Sequence, residues 1–111
     1  MFHNYLFKLD LNENLEQVTS EEDYMDFDCS WSEDGIKIVF SRLPVQDYPW
    51  IILSQIWLMD ADGINQIRIT EGGSNRDNEE PHGLYPIGID ADPDLSSDNK
   101  KIVFSRLKTG K

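Results

Sequence analysis

Two stretches of this chain, residues 26–43 and residues 90–107, repeat each other at an offset of 64 residues. The first reads DFDCSWSEDGIKIVFSRL, and the second reads DADPDLSSDNKKIVFSRL. The seven residues at the end of each stretch, KIVFSRL, are identical. A repeat of this length indicates that one supersecondary unit is used more than once, and that each unit buries its apolar faces against its neighbours.

The composition limits the chain to a single acidic domain. Its 111 residues contain 10 Lys and Arg against 21 Asp and Glu, which gives a formal net charge of -11. Such a charge repels the phosphate backbone of nucleic acids and anionic membrane surfaces, so we predict neither as a partner. The first residues lack the basic and apolar regions of a signal peptide, and no segment approaches the roughly 18 apolar residues of a membrane span. The sequence predicts no membrane insertion and leaves the localisation unknown.

Short runs of β-branched and aromatic residues, separated by Asp-Gly, Asp-Asn and Gly-Gly pairs, predict an all-β fold. Four strands are expected between Cys29 and Thr70, at residues 29–32, 36–42, 55–60 and 65–70. The Asp34-Gly35 pair predicts a hairpin with a primed turn between the first two strands, because Gly tolerates the positive φ that such a turn requires. The strand after this turn carries apolar residues at successive positions, so we expect both of its faces to be buried in each copy.

The two ends of the chain carry the rest of the same repeat. Residues 6–19 match residues 56–70, with one residue fewer at the turn. If the four strands of one unit are named A to D, residues 1–19 hold strands C and D, residues 26–70 hold a full unit, and residues 90–111 hold strands A and B. We therefore expect one segment with two units' worth of strands, cut within a unit at both ends.

The motifs of this unit resemble those of a known repeat family. Residues 28–40 read as an Asp-x-x-Trp-Ser-x-Asp-Gly-x-Lys-Ile-Val-Phe run, which is followed by Ile-Trp-x-Met-Asp-Ala-Asp-Gly and then by Ile-x-Ile-Thr. This pattern resembles the repeat of TolB-type, WD-like β-propellers, in which each repeat forms one four-stranded antiparallel blade. The second copy departs from the pattern, since Leu95 replaces Trp31 and Asn99 replaces Gly35. The resemblance implies a fold that is often found in periplasmic or secreted proteins.

Two units do not close a propeller, which needs about four to eight blades. In one interpretation the chain associates with copies of itself, and strands C and D of one copy complete strands A and B of the next. Three copies would then give six blades, and the resemblance implies that six is a common number of blades in this family. In the other interpretation the chain is part of a longer polypeptide that supplies the remaining blades. The sequence leaves both interpretations open.

Two loops are longer than the usual connections, and the resemblance implies that they leave the same face of the propeller. They cover residues 44–54, between strands B and C, and residues 71–91, between strand D and the next strand A. Loops on a rigid scaffold often carry binding groups. We expect aromatic and charged side chains of these loops to bind a protein or a small ligand: Asp47, Tyr48, Trp50, Arg76, His82 and Tyr85. Alternatively, Trp50 extends strand C into the core, and His82 is a solvated loop residue.

A run of alternating acidic residues is the best candidate for a metal site. Asp90, Asp92 and Asp94 lie at close spacing, and hard cations such as calcium bind several carboxylate oxygens. Asp26 and Asp28 repeat the first two of these positions in the other copy. The simpler interpretation is that these side chains cap turns and bond backbone amides. We therefore predict no metal and no cofactor.

The sequence favours a binding module over an enzyme. It contains no Gly-rich phosphate loop, no nucleophile elbow and no metal-binding pair of histidines. Cys29 is the only cysteine and lies in a predicted strand, so we interpret it as a small buried residue and not as a nucleophile. The expected function is that of a non-catalytic β-propeller module or scaffold that presents a loop face. The alternative is a segment of a propeller hydrolase or lyase whose catalytic residues lie largely elsewhere.

Overall fold

The structure, a computed structural model, describes residues 3–45, 52–71 and 87–108. These residues form eight β-strands and no helix, so they contain no helical membrane span. The strands are β1 (Phe7–Leu9), β2 (Leu15–Gln17), β3 (Tyr24–Trp31), β4 (Lys37–Pro44), β5 (Ile52–Asp60), β6 (Ile67–Arg68), β7 (Ile87–Leu95) and β8 (Ile102–Lys108). The predicted all-β fold class is confirmed, although β3 and β5 begin earlier than expected.

The strands form a hairpin at each end of the chain and a four-stranded meander between them. β1 pairs with β2 and β7 pairs with β8, both in antiparallel orientation. In the centre, β3, β4, β5 and β6 are joined in this order by antiparallel pairing. One pairing differs from the purely antiparallel expectation, because β7 runs parallel to the beginning of β5, with Ile89 opposite Ser54. A short parallel ladder thus joins the second hairpin to the meander, and the described residues form no closed sheet.

The first hairpin repeats the hydrogen bonds of the hairpin that β5 and β6 form. The backbone N–H of Leu6 donates to the hydroxyl oxygen of Thr19 over 2.9 Å, and that of Ile56 donates to the hydroxyl oxygen of Thr70 over 2.9 Å. Each threonine donates its own N–H back to the carbonyl oxygen of the same partner. The two hairpins are therefore structurally equivalent, as the alignment of the two sequence segments predicts.

The connection between one hairpin and the next strand is also repeated. The side-chain amide of Asn4 donates a hydrogen bond to the carbonyl oxygen of Asp26 at the beginning of the meander. The hydroxyl of Ser54, which occupies the equivalent position, donates to the carbonyl oxygen of Asp90 over 2.9 Å. The same contact thus attaches β3 to the segment before β1 and β7 to β5. A constant contact between successive units is what a repeat architecture requires.

The repeated turns place their left-handed residue later than a primed turn does. A primed type I turn has positive φ at both central residues. Here the N–H of Gly35 donates to the carbonyl oxygen of Ser32 over 3.0 Å, so the central residues are Glu33 and Asp34. Positive φ is found only after them, at Gly35 with 75°, and at the equivalent Asn99 with 61°. The predicted turn type is wrong, because the glycine follows the central pair and does not belong to it.

Two side-chain contacts join the β3–β4 hairpin to the β7–β8 hairpin. The Nδ2 atom of Asn99 donates to Oδ2 of Asp34 over 3.1 Å, which links the two turns. The hydroxyl of Ser30 donates to Oδ1 of Asp94 over 3.4 Å, which links the two bulged strands. Both contacts connect equivalent regions of different units, so neighbouring hairpins touch along their length and not only through the ladder of β5 and β7.

The hydrophobic core lies between the first hairpin and the meander. It contains buried residues of the first hairpin, β4 and β5, with two partly buried residues against them: Leu6, Ile38, Phe40 and Met59, then Val18 and Trp57. None of the four buried side chains is more than 7% exposed. Complete burial of an apolar side chain of this size contributes about 1.5–3 kcal/mol. The first hairpin is therefore held as a separate layer against the meander.

A bulge in the first strand of each repeated hairpin explains why Cys29 is exposed. The register between β3 and β4 shifts between Phe27 and Ser30, and Asp28 has a positive φ of 51°. β7 has the same irregularity, where Asp92 has a φ of 53°. A bulge adds one residue to a strand and changes which face the following side chains occupy. The predicted burial of Cys29 is wrong for this reason.

Candidate interaction site at the open strand edges

The identical heptads at residues 37–43 and 101–107 differ in burial. Val39 and Phe40 are completely buried, whereas Val103, the equivalent of Val39, is 70% exposed. β4 lies between β3 and β5, but β8 has only β7 beside it within the described residues. The prediction that this strand is buried on both faces therefore holds for β4 and is wrong for β8. Because the seven side chains are the same, the difference comes from their neighbours and not from the heptad.

In the buried copy the heptad carries an arginine into the interior. The side chain of Arg42 is 1% exposed. Its Nε donates to Oδ1 of Asp26 over 2.7 Å, its Nη2 donates to Oδ2 over 3.0 Å, and its Nη1 donates to Oε1 of Gln66 over 2.8 Å. The guanidinium carbon lies 4.6 Å from the ring centres of both Tyr24 and Trp57. Such pairing and hydrogen bonding are what allow a charged side chain to be buried.

The second copy makes the same ion pair, but its arginine is less buried. The Nε and Nη2 atoms of Arg106 donate to the two carboxylate oxygens of Asp90 over 2.7 and 3.0 Å. This hydrogen bonding to Asp90 raises the pKa of Arg106. Asp90 is fully buried, but the Arg106 side chain is 43% exposed. Gly88 stands where the first copy has Tyr24, so the aromatic ring at that position is missing. The ring centre of Phe104 lies 5.3 Å from the guanidinium carbon of Arg106.

These ion pairs correct the interpretation of the acidic run. Both carboxylate oxygens of Asp90 accept hydrogen bonds from Arg106, and Oδ2 also accepts one from the hydroxyl of Thr70 over 2.7 Å. The expectation that Asp26 and Asp90 bond backbone amides is wrong, because their carboxylates bind arginine side chains. Among residues 3–45, 52–71 and 87–108, no three His, Cys, Asp or Glu side chains are grouped as metal ligands would be. The equal Asp-to-Arg spacing in both copies is the sequence signal that identifies the ion pairs.

The first hairpin presents an open edge of its own. β1 is equivalent to β5, but it pairs only with β2 within the described residues. Phe7 and Leu9 are 53% and 67% exposed, whereas Met59, the equivalent of Leu9, is completely buried. Among the strand edges that are unpaired within the described residues, those of β1 and β8 have equivalents, in β5 and β4, that pair with each other. We name them the β1 edge (Phe7–Leu9) and the β8 edge (Ile102–Lys108).

The six residues that the sequence suggests for ligand binding lie outside the described residues: Asp47, Tyr48, Trp50, Arg76, His82 and Tyr85. The strands that border their loops can be placed. Ile52 begins β5 and Ile87 begins β7, so the last residues of both predicted loops lie in strands, and these two residues pair with each other. Pro44, the last residue of β4, pairs with Tyr24 of β3 in the same sheet. The strand ends that border the two loops therefore lie side by side.

An apolar cleft lies between the first hairpin and β3. Its volume is about 100 Å³, and its lining includes Leu6, Phe7, Val18, Trp31 and Ile38. Sites for drug-sized ligands usually measure about 300–1,000 Å³. The cleft is therefore a gap in the packing of the hairpin against the meander, too small to enclose a ligand of that size.

Each repeated turn contains a serine that is hydrogen-bonded to an aspartate. The hydroxyl of Ser32 donates to Oδ1 of Asp34 over 2.6 Å, and that of Ser96 donates to Oδ1 of Asp98 over 2.6 Å. Backbone N–H groups of the turns add further donors. The serine hydrogen bond, followed by the backbone hydrogen bond, lowers the pKa of each aspartate below its ordinary value.

We expect the chain to lose stability in acid because of these turns. A carboxylate whose pKa is lower in the folded chain stabilises that chain above its ordinary pKa, and the contribution is lost as the pH falls through the folded-state value. The loss should begin below about pH 4. Urea unfolding at a series of pH values measures it, and the double variant Asp34→Asn with Asp98→Asn should weaken the pH dependence. The exposed Asp23→Asn is the control; an equal pH dependence in the double variant would contradict the explanation.

The described residues thus define a pair of complementary strand edges as the candidate site. The β1 edge is equivalent to β5 and the β8 edge is equivalent to β4, and β4 and β5 pair with each other in the meander. No family model, no curated protein and no solved structure matches this chain. Its function must therefore be inferred from its own repeats and contacts.

Proposed function

We propose that this chain is a non-catalytic β-propeller module, a scaffold that presents a loop face for protein or small-ligand binding. The unequal burial of the two identical heptads carries this proposal. A strand that has two neighbours in one unit and one neighbour in the next indicates a unit that further strands complete. Propellers meet this requirement by repeating four-stranded units around a central axis.

The repeat motifs and the repeated contacts support a TolB-type unit. The meander β3 to β6 has the four antiparallel strands that such a unit requires. The hairpin β1–β2 has the hydrogen bonds of strands C and D, and the hairpin β7–β8 has the sequence and the ion pair of strands A and B. Successive units share one core, since Leu6 of the first hairpin and Phe40 of the meander belong to the same buried cluster.

The proposed binding face lies where the two long loops leave the sheet. The pairing of Ile52 with Ile87 supports this placement, because it brings the strand ends that follow the two loops together. Aromatic side chains with charged neighbours are common where proteins bind partners. We therefore keep the six loop residues as the proposed binding residues, on a scaffold that fixes both loops at one end of the sheet.

The remaining blades come from copies of the same chain or from a longer polypeptide. Both sources place strands C and D beside the β8 edge, and both yield a ring when about four to eight units are joined. Three copies supply six units. The proposed scaffold requires a completed ring, and this requirement can be tested with the blades covalently joined.

A tandem polypeptide with three consecutive copies of the chain is expected to fold as a closed ring. Residues 109–111 and 1–6 of adjoining copies then connect β8 to the next β1. Light scattering should give a monomer near three times 12.9 kDa. Hydrogen exchange should be slow in all three β8 segments, because every β8 acquires a neighbouring strand.

The control is the same tandem without residues 1–19 in its second and third copies, so that strands C and D are missing at both junctions. The two β8 segments at these junctions should exchange quickly. A complete tandem in which about one third of the β8 segments exchange quickly would indicate paired junctions but an open arc, as expected when one of the three edges stays free. That result, or fast exchange in all three segments, would overturn the propeller proposal.

A further inference from the structure

We propose that the β8 edge of one copy of this chain binds the β1 edge of a second copy, in the register that β4 and β5 have within a chain. This inference rests on the proposed function and names the partner that completes the unit. β8 repeats the sequence of β4, and the first hairpin repeats the hydrogen bonds of β5 and β6. Every copy therefore carries both halves of the missing pairing.

The two edges of one copy lie on opposite faces of the meander. Ile38 and Phe40 of β4 contact the first hairpin in the core. Val39 points to the other face, because successive side chains of a strand alternate. It is completely buried there, on the side where β7 lies in contact with β3 and β4. The β1 edge and the β8 edge are thus separated by the meander, and a second copy is needed to join them.

The internal ladder gives the register of the proposed contact. β4 and β5 place Lys37 opposite Asp60, Ile38 opposite Met59 and Phe40 opposite Trp57. Replacing each residue by its equivalent in the repeat gives three pairs between copies: Lys101 with Asp10, Ile102 with Leu9, and Phe104 with Phe7. A shift by one residue would turn the apolar side chains of a strand to its other face, so this register is specific.

Two side-chain interactions of the internal ladder would also be reproduced. The Nζ atom of Lys37 lies 2.5 Å from Oδ1 of Asp60, and Lys101 and Asp10 have the matching charges. The indole of Trp57 covers the guanidinium of Arg42, and Phe7 of the second copy would cover Arg106 in the same way. The contact therefore covers the half-exposed ion pair as well as the exposed apolar side chains.

The contact is head-to-tail, since each copy gives one edge and accepts a different one. Such an interface produces an open filament unless its rotation closes a ring. The first hairpin stays packed against its own meander throughout, so no exchange of elements between copies is involved. With two units in each copy, closure at three copies gives a ring of six units, within the range that propellers adopt.

Cysteine cross-linking tests the register in the full chain. In a Cys29→Ser background, Leu9→Cys combined with Ile102→Cys should form disulfides between copies, because opposite residues of antiparallel strands have Cα atoms about 4.5–5.5 Å apart, within the reach of a disulfide. The matched control combines Leu9→Cys with Val103→Cys, which is shifted by one residue and lies on the other face. Equal cross-linking of the two pairs would overturn the proposed register.

Light scattering, with a charge reversal, tests the association itself. The unmodified chain should have a mass that is a multiple of 12.9 kDa. Lys101→Glu should weaken the association on the order of tenfold, because it places two like charges opposite each other. Lys100→Glu makes the same charge change at the neighbouring exposed residue and should leave the mass unchanged. A monomeric chain without cross-links would overturn self-association; if the tandem still closed, the proposed function would stand and a longer polypeptide would supply the strand.

Discussion

Asp26→Asn is expected to lower the free energy of unfolding by about 3–5 kcal/mol, because removing one partner of a buried ion pair leaves the other charge uncompensated. Both side chains of the pair are 1% exposed, and Arg42 reaches both carboxylate oxygens. An amide presents only one acceptor oxygen to this fork. The guanidinium would keep its hydrogen bond to Gln66, its contacts with the rings and a longer, 3.5 Å ion pair with Glu21, but it would lose its buried countercharge.

Urea unfolding of the variant and of Asp23→Asn measures this effect. Asp23 is exposed, and the control makes the same chemical change three residues earlier in the sequence. It should cost less than about 0.5 kcal/mol. Because a domain is typically stable by only about 5–15 kcal/mol, Asp26→Asn could leave the chain unfolded. The double variant Asp26→Leu with Arg42→Met should then recover folding, since apolar replacement of both charges is often neutral. A loss below about 1 kcal/mol for Asp26→Asn would contradict the importance of the pair.

Gly63→Ala is expected to cost about 3 kcal/mol, through backbone strain and a steric contact together. Gly63 has a φ of 92°, in the left-handed region that side chains disfavour. A Cβ atom at this position would lie 2.4 Å from the carbonyl oxygen of Val18. That oxygen belongs to the backbone beside β2, so relieving the contact requires the first hairpin to move away from the turn between β5 and β6.

Gly35→Ala separates the two contributions. Gly35 has a φ of 75°, but a Cβ atom there would meet nothing within 4 Å. The change should therefore cost only the conformational strain, about 1–2 kcal/mol. Thermal or urea unfolding compares the two variants under the same conditions. Equal losses would show that the approach of Gly63 to Val18 does not constrain the chain, whereas a larger loss for Gly63→Ala is expected.

Features that depend on neighbouring residues in the chain could be predicted from the sequence. The strands follow from local β-branched and aromatic runs, and the equivalence of the end hairpins follows from two aligned threonines, Thr19 and Thr70. The turn type could not be predicted, because glycine at position 35 suits either a central or a following left-handed position. The exposure of Cys29 depends on a bulge that alters the alternation of side chains, and bulges have no single sequence signal.

Features that depend on how the units pack could be predicted only in part. The ion pair of Asp26 and Arg42 joins residues that are opposite in the ladder of β3 and β4, and its repetition in the second copy is visible in the sequence once the pairing is known. The parallel ladder between β5 and β7 depends on the stacking of two units and has no local pattern. The proposed loop residues follow from composition and loop length, and they lie outside residues 3–45, 52–71 and 87–108.

The hydrogen bond between Asn99 and Asp34 gives a different meaning to the replacement of glycine in the second copy. Glycine at position 99 would keep the positive φ of the turn, but it would have no side chain with which to reach Asp34. Asparagine satisfies the local conformation and also provides a side-chain contact between the two turns. In an assembly of repeated units, a fixed spacing at one rim sets the angle between neighbours, and that angle determines how many units complete a circle. A residue that departs from the repeat pattern within one unit can thus contribute to the contact between units.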